Sequence, residues 1–285
     1  MKNRPSLFTL DGRFRAHHAG LIAGSSREKW LTALLVGAMV ALALFALLRL
    51  EFSLAQLGTG LVQLGTFMSL MVPPTPGTQL NSLLEALAET IAIAFLGTLL
   101  AAILAFPLCL LAARNTTVNQ MVRWLTRRTS DTIRGIDTLI WALIWINVVG
   151  LGPFAGVLAI MTADIGSFTK LYSEAIEAVE RKAGEGVLST GGSRLHEIRF
   201  GIIPQVLPVL ISQTLYFFES NTRSATIIGI VGAGGIGLYL VESIRIFEWD
   251  QVAFIVLMIL LTVALIDWVS TRLRMALVGE RNLRI

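Results

Sequence analysis

Residues 138–163 read TLIWALIWINVVGLGPFAGVLAIMTA, a stretch of 26 residues without a charged side chain. A helix needs about 20 mainly apolar residues to cross a bilayer, so this run is longer than one span requires. Within it, Gly150-Leu-Gly-Pro153 is a turn signal, because a proline disfavours helical backbone at the residue before it. The run therefore forms either one kinked helix or two helices joined by a tight turn.

The distribution of basic residues decides between these two possibilities. Of the 23 Lys and Arg residues, 20 lie in four segments: 1–29, 114–134, 170–200 and 272–284. Such positively charged segments stay in the cytoplasm. Because two of them flank the run, the chain must cross the membrane an even number of times between them. We therefore predict two helices with an external turn at Gly150–Pro153. The first is expected to begin around Asp131 and to include Arg134 and Asp137.

Other apolar runs complete the count of spans. They are Trp30–Leu48, Thr90–Ala113, Phe200–Phe218 and Gln251–Ile266. The last run is expected to continue past Asp267, because Trp268 and Val269 follow it. The same parity rule requires two crossings between residues 200 and 272. The sequence thus predicts an all-α integral membrane protein with about six transmembrane helices and both termini in the cytoplasm.

The composition excludes several other classes of protein. Hydrophobic residues make up 54% of the 285 residues, charged residues 15%, and the mean hydropathy is +0.72. Soluble domains carry about 25% charged residues, so neither a soluble domain nor a disordered chain fits. The one cysteine, Cys109, excludes a disulfide scaffold. The topology already explains the net charge of +4, which disfavours a nucleic-acid partner.

The predicted spans divide the chain into consecutive parts. We expect a cytoplasmic N-terminal segment at 1–29, a first transmembrane helix at 30–50 and an external connection at 51–82. A core of five transmembrane helices follows at 83–275 and contains a cytoplasmic loop at 170–204. A cytoplasmic tail occupies 276–285. The first helix resembles a signal peptide, but no small-residue cleavage site follows it, so we expect it to be retained.

A glycine-rich stretch, Ser224–Val241, contains a G-x-G-x-x-G pattern. The pattern consists of Gly232, Gly234, Gly235 and Gly237 with their intervening residues. It indicates dinucleotide binding only between a strand and a helix, and no such unit surrounds it here. We instead predict a short helix and a close-packed bend that only glycine fits. The sequence leaves open whether this stretch is a re-entrant bend or part of a spanning helix.

The sequence contains no motif for catalysis, for metal binding or for ATP binding. The dipeptide Gly-Lys is absent, which excludes a P-loop in this chain. His17 and His18 are adjacent rather than one helical turn apart, and His196 stands alone. We therefore expect a chain that is not an enzyme, with no cofactor and no metal of its own. Any ATP hydrolysis belongs to a partner.

The loop at 170–204 contains a short segment suited to contact with a partner. Ser193 is predicted to cap a helix over the following residues, with help from Glu197. Leu195 and Ile198 would share one face of that helix, and Arg194 would lie on another. Such an amphipathic helix either docks onto another protein or lies on the lipid surface.

The spacing of Glu185, Gly191 and Pro204 resembles the "EAA" loop of binding-protein-dependent ABC transporter permeases. Four positions depart from that pattern: Gly186, Val187, Gly201 and Ile203. The wider similarity covers residues 83–275 and is most like the phosphonate permease branch. It includes five further stretches: 134–137, 149–154, 201–208, 218–226 and 230–237.

The resemblance implies a type I ABC importer permease fold and a set of partners. These are a second copy of the permease, two ATPase subunits that bind ATP and Mg, and a periplasmic or lipid-anchored substrate-binding protein, all at a bacterial inner membrane. It also implies an ATPase-coupling role for one group of loop residues. These are Glu185, Gly191, Ser193, Arg194, Leu195, His196, Ile198 and Pro204.

The function implied is import of phosphonate or a related phosphorus oxyanion, such as phosphite or hypophosphite. Three alternatives remain open at this point: a permease for methionine or another small solute, an ATP-independent secondary transporter, and a membrane enzyme. A secondary transporter would need an internal repeat with paired broken helices, and we find no clear repeat. A membrane enzyme would need a catalytic cluster that the sequence does not contain.

Polar side chains inside predicted spans are candidates for the translocation pathway. They are Arg223, Glu219, Asn221, Ser220 and Asn147. Arg223 is the strongest, because arginine binds phosphorus oxyanions with two parallel hydrogen bonds. Glu219 precedes it by one helical turn, so the two side chains are also expected to neutralise each other. The topology places this cluster nearer the external face.

Overall fold

The computed structural model describes residues 26–50, 54–117 and 119–279, and these residues form helices and turns without a strand. The chain divides into two compact units, Met1–Phe67 and Met68–Ile285. The predicted N-terminal segment lies outside the described residues up to residue 25, and the predicted tail does so from residue 280. The all-α membrane class is confirmed.

The first unit contains α1, Ser26–Arg49, and most of α2, Leu54–Leu70. Helix α1 exposes its apolar side chains from Trp30 onward, as a helix in lipid does. Helix α2 was not predicted from the sequence, which assigned residues 51–82 to an external connection. Its leucines recur at helical spacing, at positions 54, 57, 61 and 64, and this periodicity is the signal that indicates the helix.

Three long helices form the centre of the second unit. They are α3 at Leu80–Ala112, α6 at Pro153–Glu177 and α9 at Ile203–Ile230. Small residues let α3 and α6 approach closely: a Cβ on Gly97 would lie 2.7 Å from Ile160 Cβ. Such contacts are typical of membrane helices, which associate by packing rather than by the hydrophobic effect.

The run at 138–163 contains two helices, as predicted. Helix α5, Thr138–Val149, ends at Gly150, and α6 begins at Pro153. Gly150 and Gly152 take φ values of 94° and 130°, which only glycine adopts readily. The turn signal and the parity of the charges thus identified the break correctly.

The predicted start of α5 near Asp131 is wrong. A separate amphipathic helix, α4, occupies Gln120–Ile133, and the chain bends by 87° before α5. Helix α5 begins at Thr138 because the Asp137 carboxylate accepts a hydrogen bond from Leu139 N at 2.8 Å. Asp131 and Arg134 therefore belong to the end of α4.

The bend also affects the count of spans. Helix α5 is only about 18 Å long, less than the bilayer core. Within the described residues, five helices are long and apolar enough to cross a membrane, and a sixth span arises if α4 and α5 count as one bent segment.

The remaining elements follow in order. Helix α7 spans Arg181–Ser189, α8 spans Arg194–His196, and a π-helix at Glu197–Ile202 leads directly into α9. Helix α9 continues twelve residues past the predicted end of its apolar run at Phe218. After a bend, α10 spans Ile236–Arg245, and α11 spans Trp249–Gly279. Helix α11 runs through Asp267, as the sequence predicts.

Candidate functional site

Helices α7 and α8 and the π-helix form a hairpin that we call the coupling hairpin, residues 181–202. Its two arms touch at glycines: a Cβ on Gly201 would lie 2.8 Å from Gly184 Cα. The tip turns at Gly191, with φ of 84° and its N–H donating to Leu188 O at 3.0 Å. Pro204 lies in the first turn of α9, directly after the π-helix.

Ser193 is the N-cap of α8, as predicted, but the capping box is completed by His196 and not by Glu197. The Ser193 backbone N–H donates to His196 Nδ1 at 3.2 Å, and the Ser193 hydroxyl lies 2.8 Å from the same nitrogen. Glu197 instead pairs with Arg194 at 2.9 Å. The expected assistance to the cap thus comes from His196.

The outer surface of the coupling hairpin is exposed and mixed in character. Glu185 and His196 are exposed, and Leu195 exposes 77% of its surface. Ile198 is half-buried and packs against the apolar core cluster of the second unit. Leu195 and Ile198 therefore do not share one exposed face, because the π-helix begins between them and changes the turn.

The arm that leads into the coupling hairpin is held by an ionic contact. Glu177, at the end of α6, lies 2.8 Å from Arg127 Nη2 and accepts a hydrogen bond from Arg114 N at 2.7 Å. Arg127 also donates to Ala112 O at 2.9 Å. These contacts join the C-terminal ends of α3 and α6 to the middle of α4.

Glu219 lies between two arginines on different helices. Its carboxylate oxygens are 3.3 Å from Arg223 Nη1 and 3.3 Å from Arg274 Nη2. Glu219 is buried, whereas half of the Arg223 side chain is exposed. Arg274 was not predicted as a site residue, because its partner is 55 positions away in the sequence. Arg274 lies five residues before the end of α11, the end that is predicted to be cytoplasmic. With that topology, the Glu219 cluster lies nearer the cytoplasmic face, whereas the sequence predicted a position nearer the external face.

Asn221 is buried in a polar contact between three helices. Its amide nitrogen donates to Thr98 Oγ1 on α3 at 2.8 Å and to the Asp164 carboxylate on α6. Asp164 is also buried, so the contact replaces water for both side chains. Ser220 is half-buried beside it.

Asn147 lies apart from this group. It is exposed on α5 and donates to Leu143 O at 2.7 Å within its own helix.

The glycine-rich stretch forms a bend at residues 231–235, against the turn that joins α5 and α6. Three of its glycines, Gly232, Gly234 and Gly235, take positive φ values. The bend touches the turn directly, since Gly152 N donates to Gly232 O at 3.0 Å. Gly237 lies in the first turn of α10 rather than in the bend, and a Cβ there would lie 2.8 Å from Ile230 N.

Polar side chains of α3 cap the helix that follows the bend. Glu89 accepts a hydrogen bond from Gly235 N at 3.1 Å, and Thr90 Oγ1 accepts one from Ile236 N at 2.8 Å. These bonds satisfy backbone N–H groups that a helix start leaves unpaired. The described residues contain no group of three or more His, Cys, Asp or Glu side chains that could hold a metal ion.

Comparison with known proteins identifies relatives over most of the chain. Residues 105–278 match the family described as "Binding-protein-dependent transport system inner membrane component". HtxC of Stutzerimonas stutzeri, whose name assigns it provisionally to a phosphite transport system as a permease, is 38% identical over 256 residues, which are 90% of this chain and 89% of HtxC.

A second relative differs in the solute that its name gives. The phosphate-import permease protein PhnE of Mycolicibacterium smegmatis is 36% identical over 247 residues, which cover 85% of this chain but only 46% of that protein. Among solved structures, an inward-facing MetNI methionine ABC transporter matches with a TM-score of 0.64 over 71% of this chain and 99% of the matched chain. At 18% identity this last likeness concerns the fold alone.

Proposed function

The chain belongs to the family of binding-protein-dependent transport system inner membrane components, and from that premise we propose that it is the permease subunit of an ATP-driven importer for a phosphorus oxyanion. The observation that carries the proposal is the similarity to HtxC over nine-tenths of both chains. The proposed solutes are phosphonate, phosphite, hypophosphite or phosphate. The chain is a multi-pass membrane protein and a transport subunit rather than an enzyme.

The proposal includes the partners that the family's name and its ABC members imply. A substrate-binding protein delivers the solute from outside, and two ATPase subunits bind ATP and Mg on the cytoplasmic side. A second copy of this chain completes the pathway. The membrane is a bacterial inner membrane, and both termini lie in the cytoplasm. The family's dependence on a binding protein disfavours the secondary transporter and the membrane enzyme.

In this proposal the coupling hairpin is the surface that meets the ATPase. Glu185 is exposed and forms no ion pair within the described residues, so it is available for a contact with a partner. Leu195, on the other arm of the coupling hairpin, supplies an exposed apolar side chain. A partner that binds this surface better in one conformation than in another shifts the permease between its two arrangements.

The helical path from the coupling hairpin into the membrane supports this role. Residues 194–230 form one continuous helical segment. That segment carries both Glu219 and Asn221. A displacement of Arg194–His196 is therefore transmitted along the segment to polar side chains at membrane depth, without a flexible linker between them.

Arg223 is the proposed contact for the anion in the pathway. Half of its side chain is exposed, so its guanidinium can bind an oxyanion while Glu219 holds one of its nitrogens. Arg274 holds the other oxygen of Glu219 and keeps the carboxylate occupied. This arrangement offers positive charge to the solute without a closed anion cage, which suits a pathway that must release what it binds.

The function is tested by uptake of radiolabelled phosphite and phosphate in cells that carry the complete transporter. We expect accumulation of at least one of these solutes that stops when the ATPase partner carries a substitution that abolishes ATP hydrolysis. Uptake that persists with the inactive ATPase contradicts an ATP-driven importer. Absence of uptake for every phosphorus oxyanion, with uptake of another solute, contradicts the assigned substrate class.

The coupling role is tested by Glu185→Ala. We expect a loss of about tenfold or more in ATPase co-purification or in uptake, because a charged hydrogen bond at a protein interface contributes about 1.5–3 kcal/mol. The matched control is Glu85→Ala, which removes an exposed carboxylate near the N-terminal end of α3, outside the coupling hairpin. Equal uptake in the wild type and in Glu185→Ala would remove Glu185 from the interface.

A further inference from the structure

We propose that the cavity between α4 and α6 is a binding site for a phosphate oxyanion, either free phosphate or the phosphate of a lipid headgroup. The cavity has a volume of about 280 Å³. A water molecule occupies about 30 Å³ of liquid, so the space accepts a phosphate group with several waters. It is separate from the coupling hairpin and from the Glu219 cluster.

The side chains that line the cavity carry excess positive charge. Four are basic and two are acidic: Arg127, Arg128, Arg134, Lys170, Asp131 and Glu174. Asp131 is shared by two arginines, at 3.0 Å from Arg134 Nη2 and 3.8 Å from Arg128 Nη1. Lys170 meets Glu174 at 3.9 Å, a loose and exposed contact that contributes little. Arg127 is already held by Glu177 and Ala112 O, so an anion in the cavity meets three cations, Arg128, Arg134 and Lys170, that share two carboxylates.

A buried hydroxyl adds a second and independent indication of a ligand. Thr169 lines the cavity with only 1% of its surface exposed, and its Oγ1 has no hydrogen-bond partner within the described residues. A buried hydroxyl without a partner is unfavourable, and nearly all such groups in proteins are satisfied. The neighbouring Ser173 hydroxyl is already bonded, to Lys170 O at 2.8 Å. A bound oxyanion that displaces the side chains covering Thr169 Oγ1 would accept the hydrogen bond that this hydroxyl can donate.

The packing of the two helices positions this cavity. Gly166 on α6 lets α4 approach at backbone distance, because a Cβ there would lie 3.0 Å from Arg134 N. One turn further along α6, Thr169 and Lys170 line the cavity beside that contact. The basic side chains of α4 are thus brought to one side of α6 by a contact that only glycine permits.

The orientation of α4 brings the cavity to the level of lipid headgroups. Helix α4 is amphipathic and lies at 87° to the apolar helix α5. We place α5 in the membrane and α4 along its surface. Helix α4 exposes Met121, Trp124 and Leu125, the apolar residues of an interfacial helix. Both a headgroup and a free anion can reach this position. The assignment of the cavity to the cytoplasmic side rests on the proposed topology, whereas the anion site itself does not.

The experiment uses the full chain, purified in detergent, delipidated and carrying Arg223→Gln so that the proposed pathway contributes no binding. Equilibrium binding of radiolabelled inorganic phosphate is measured for this chain and for three added substitutions: Thr169→Val, Arg128→Gln and Lys170→Gln. Thr169→Val preserves the volume of the side chain. Arg128→Gln and Lys170→Gln remove charges from solvent-accessible side chains, so both variants are expected to fold. Arg272→Gln on α11 is the matched control for charge.

We expect each cavity variant to weaken phosphate binding about tenfold, the effect of losing one hydrogen bond to a charged group. The control should change the affinity less than twofold. The source is then identified with nanodiscs of phosphatidylcholine that contain or lack phosphatidic acid. Displacement of labelled phosphate by phosphatidic acid assigns the site to lipid, and undiminished binding assigns it to free phosphate.

The proposal is overturned if the parent chain binds neither inorganic phosphate nor phosphatidic acid, if all three cavity variants bind as the parent does, or if Arg272→Gln lowers the affinity equally. Size-exclusion profiles and melting curves establish that each variant is folded. Because binding is measured on the purified chain, a failure here is distinct from a failure of uptake in cells.

Discussion

The glycine-rich bend and the coupling hairpin both depend on glycine, but for different physical reasons. In and beside the bend, Gly234, Gly235 and Gly237 are buried, and a Cβ at any of them would collide with neighbouring atoms. In the hairpin, Gly186 and Gly191 are exposed, and a Cβ at either would meet nothing within 4 Å. The bend is closed by backbone contact. The hairpin has one such contact, between Gly184 and Gly201, but leaves the outer surface around Gly186 and Gly191 uncovered.

The caps of the two regions differ in the same way. In the bend, the N–H groups of Gly235 and Ile236 are held by Glu89 and Thr90 from another helix. In the hairpin, the backbone N–H of the N-cap residue Ser193 donates to the exposed side chain of His196, only three residues away. Long-range caps fix one element to another, and local caps leave an element free to contact a partner. The difference therefore separates the part of the chain that maintains the fold from the part proposed to bind the ATPase.

Gly237→Ala is expected to have the largest effect. The added methyl group would collide with Thr226 O and lie 2.8 Å from Ile230 N, both of which are backbone atoms that cannot rotate away. Overpacking of this kind costs about 1–3 kcal/mol, and contact with backbone lies at the upper end of that range. Unfolding in mixed detergent micelles measures the loss. A variant as stable as the wild type would contradict the close packing assigned to this position.

Gly191→Ala is expected to cost about 1 kcal/mol, because φ is 84° at Gly191 and an L side chain is disfavoured there. Space is not limiting at this residue, so the penalty comes from conformation alone. Gly191→Asn serves as the matched variant, since asparagine tolerates this backbone region better than alanine does. If alanine and asparagine destabilise the chain equally in the same micelle assay, conformation is not the reason for glycine here.

Gly186→Ala is expected to have the smallest effect and the opposite sign. Gly186 lies inside α7 and is exposed, and a Cβ added there would meet no atom within 4 Å. Replacing an exposed helical glycine by alanine stabilises a helix by about 0.5–1 kcal/mol. The melting temperature of the purified chain should rise slightly or remain unchanged. A fall in the melting temperature would indicate that Gly186, like Gly184 and Gly201, lies in a close-packed contact.

The sequence predicted the spans that depend on local signals and missed the contacts that join distant residues. The break at Gly150–Pro153 follows from a turn motif and from the basic segments on both sides of the run, and both signals can be found in the sequence without knowledge of tertiary contacts. The start of α5 at Thr138 was also readable, because Asp137 precedes an apolar run as a helix cap does. The predicted start at Asp131 is seven residues too early, because the basic residues of α4 also fit the cytoplasmic end of a single span.

The candidate sites depend more strongly on tertiary structure. Glu219 and Arg223 could be paired from their spacing of one helical turn, and the structure has that pair. The second partner, Arg274, comes from another helix, so no periodicity indicates it. The same holds for the contact of Asn221 with Thr98 and Asp164. Helical spacing predicts which residues share a face, but the opposing residue is set by how helices pack.

The π-helix at Glu197–Ile202 fixes the rotational phase between the hairpin and the membrane. A π turn holds about one residue more than an α turn, and each residue of a helix advances the side-chain direction by about 100°. Deleting one residue from this turn and restoring α geometry would therefore leave the face of Leu195 and His196 nearly unchanged relative to the face of Glu219 and Asn221, whereas deleting one residue from the α-helical part of the segment would rotate it by about 100°. The wider turn thus accommodates one additional residue, while the exposed surface of the coupling hairpin and the side chains in the membrane keep the same relative orientation.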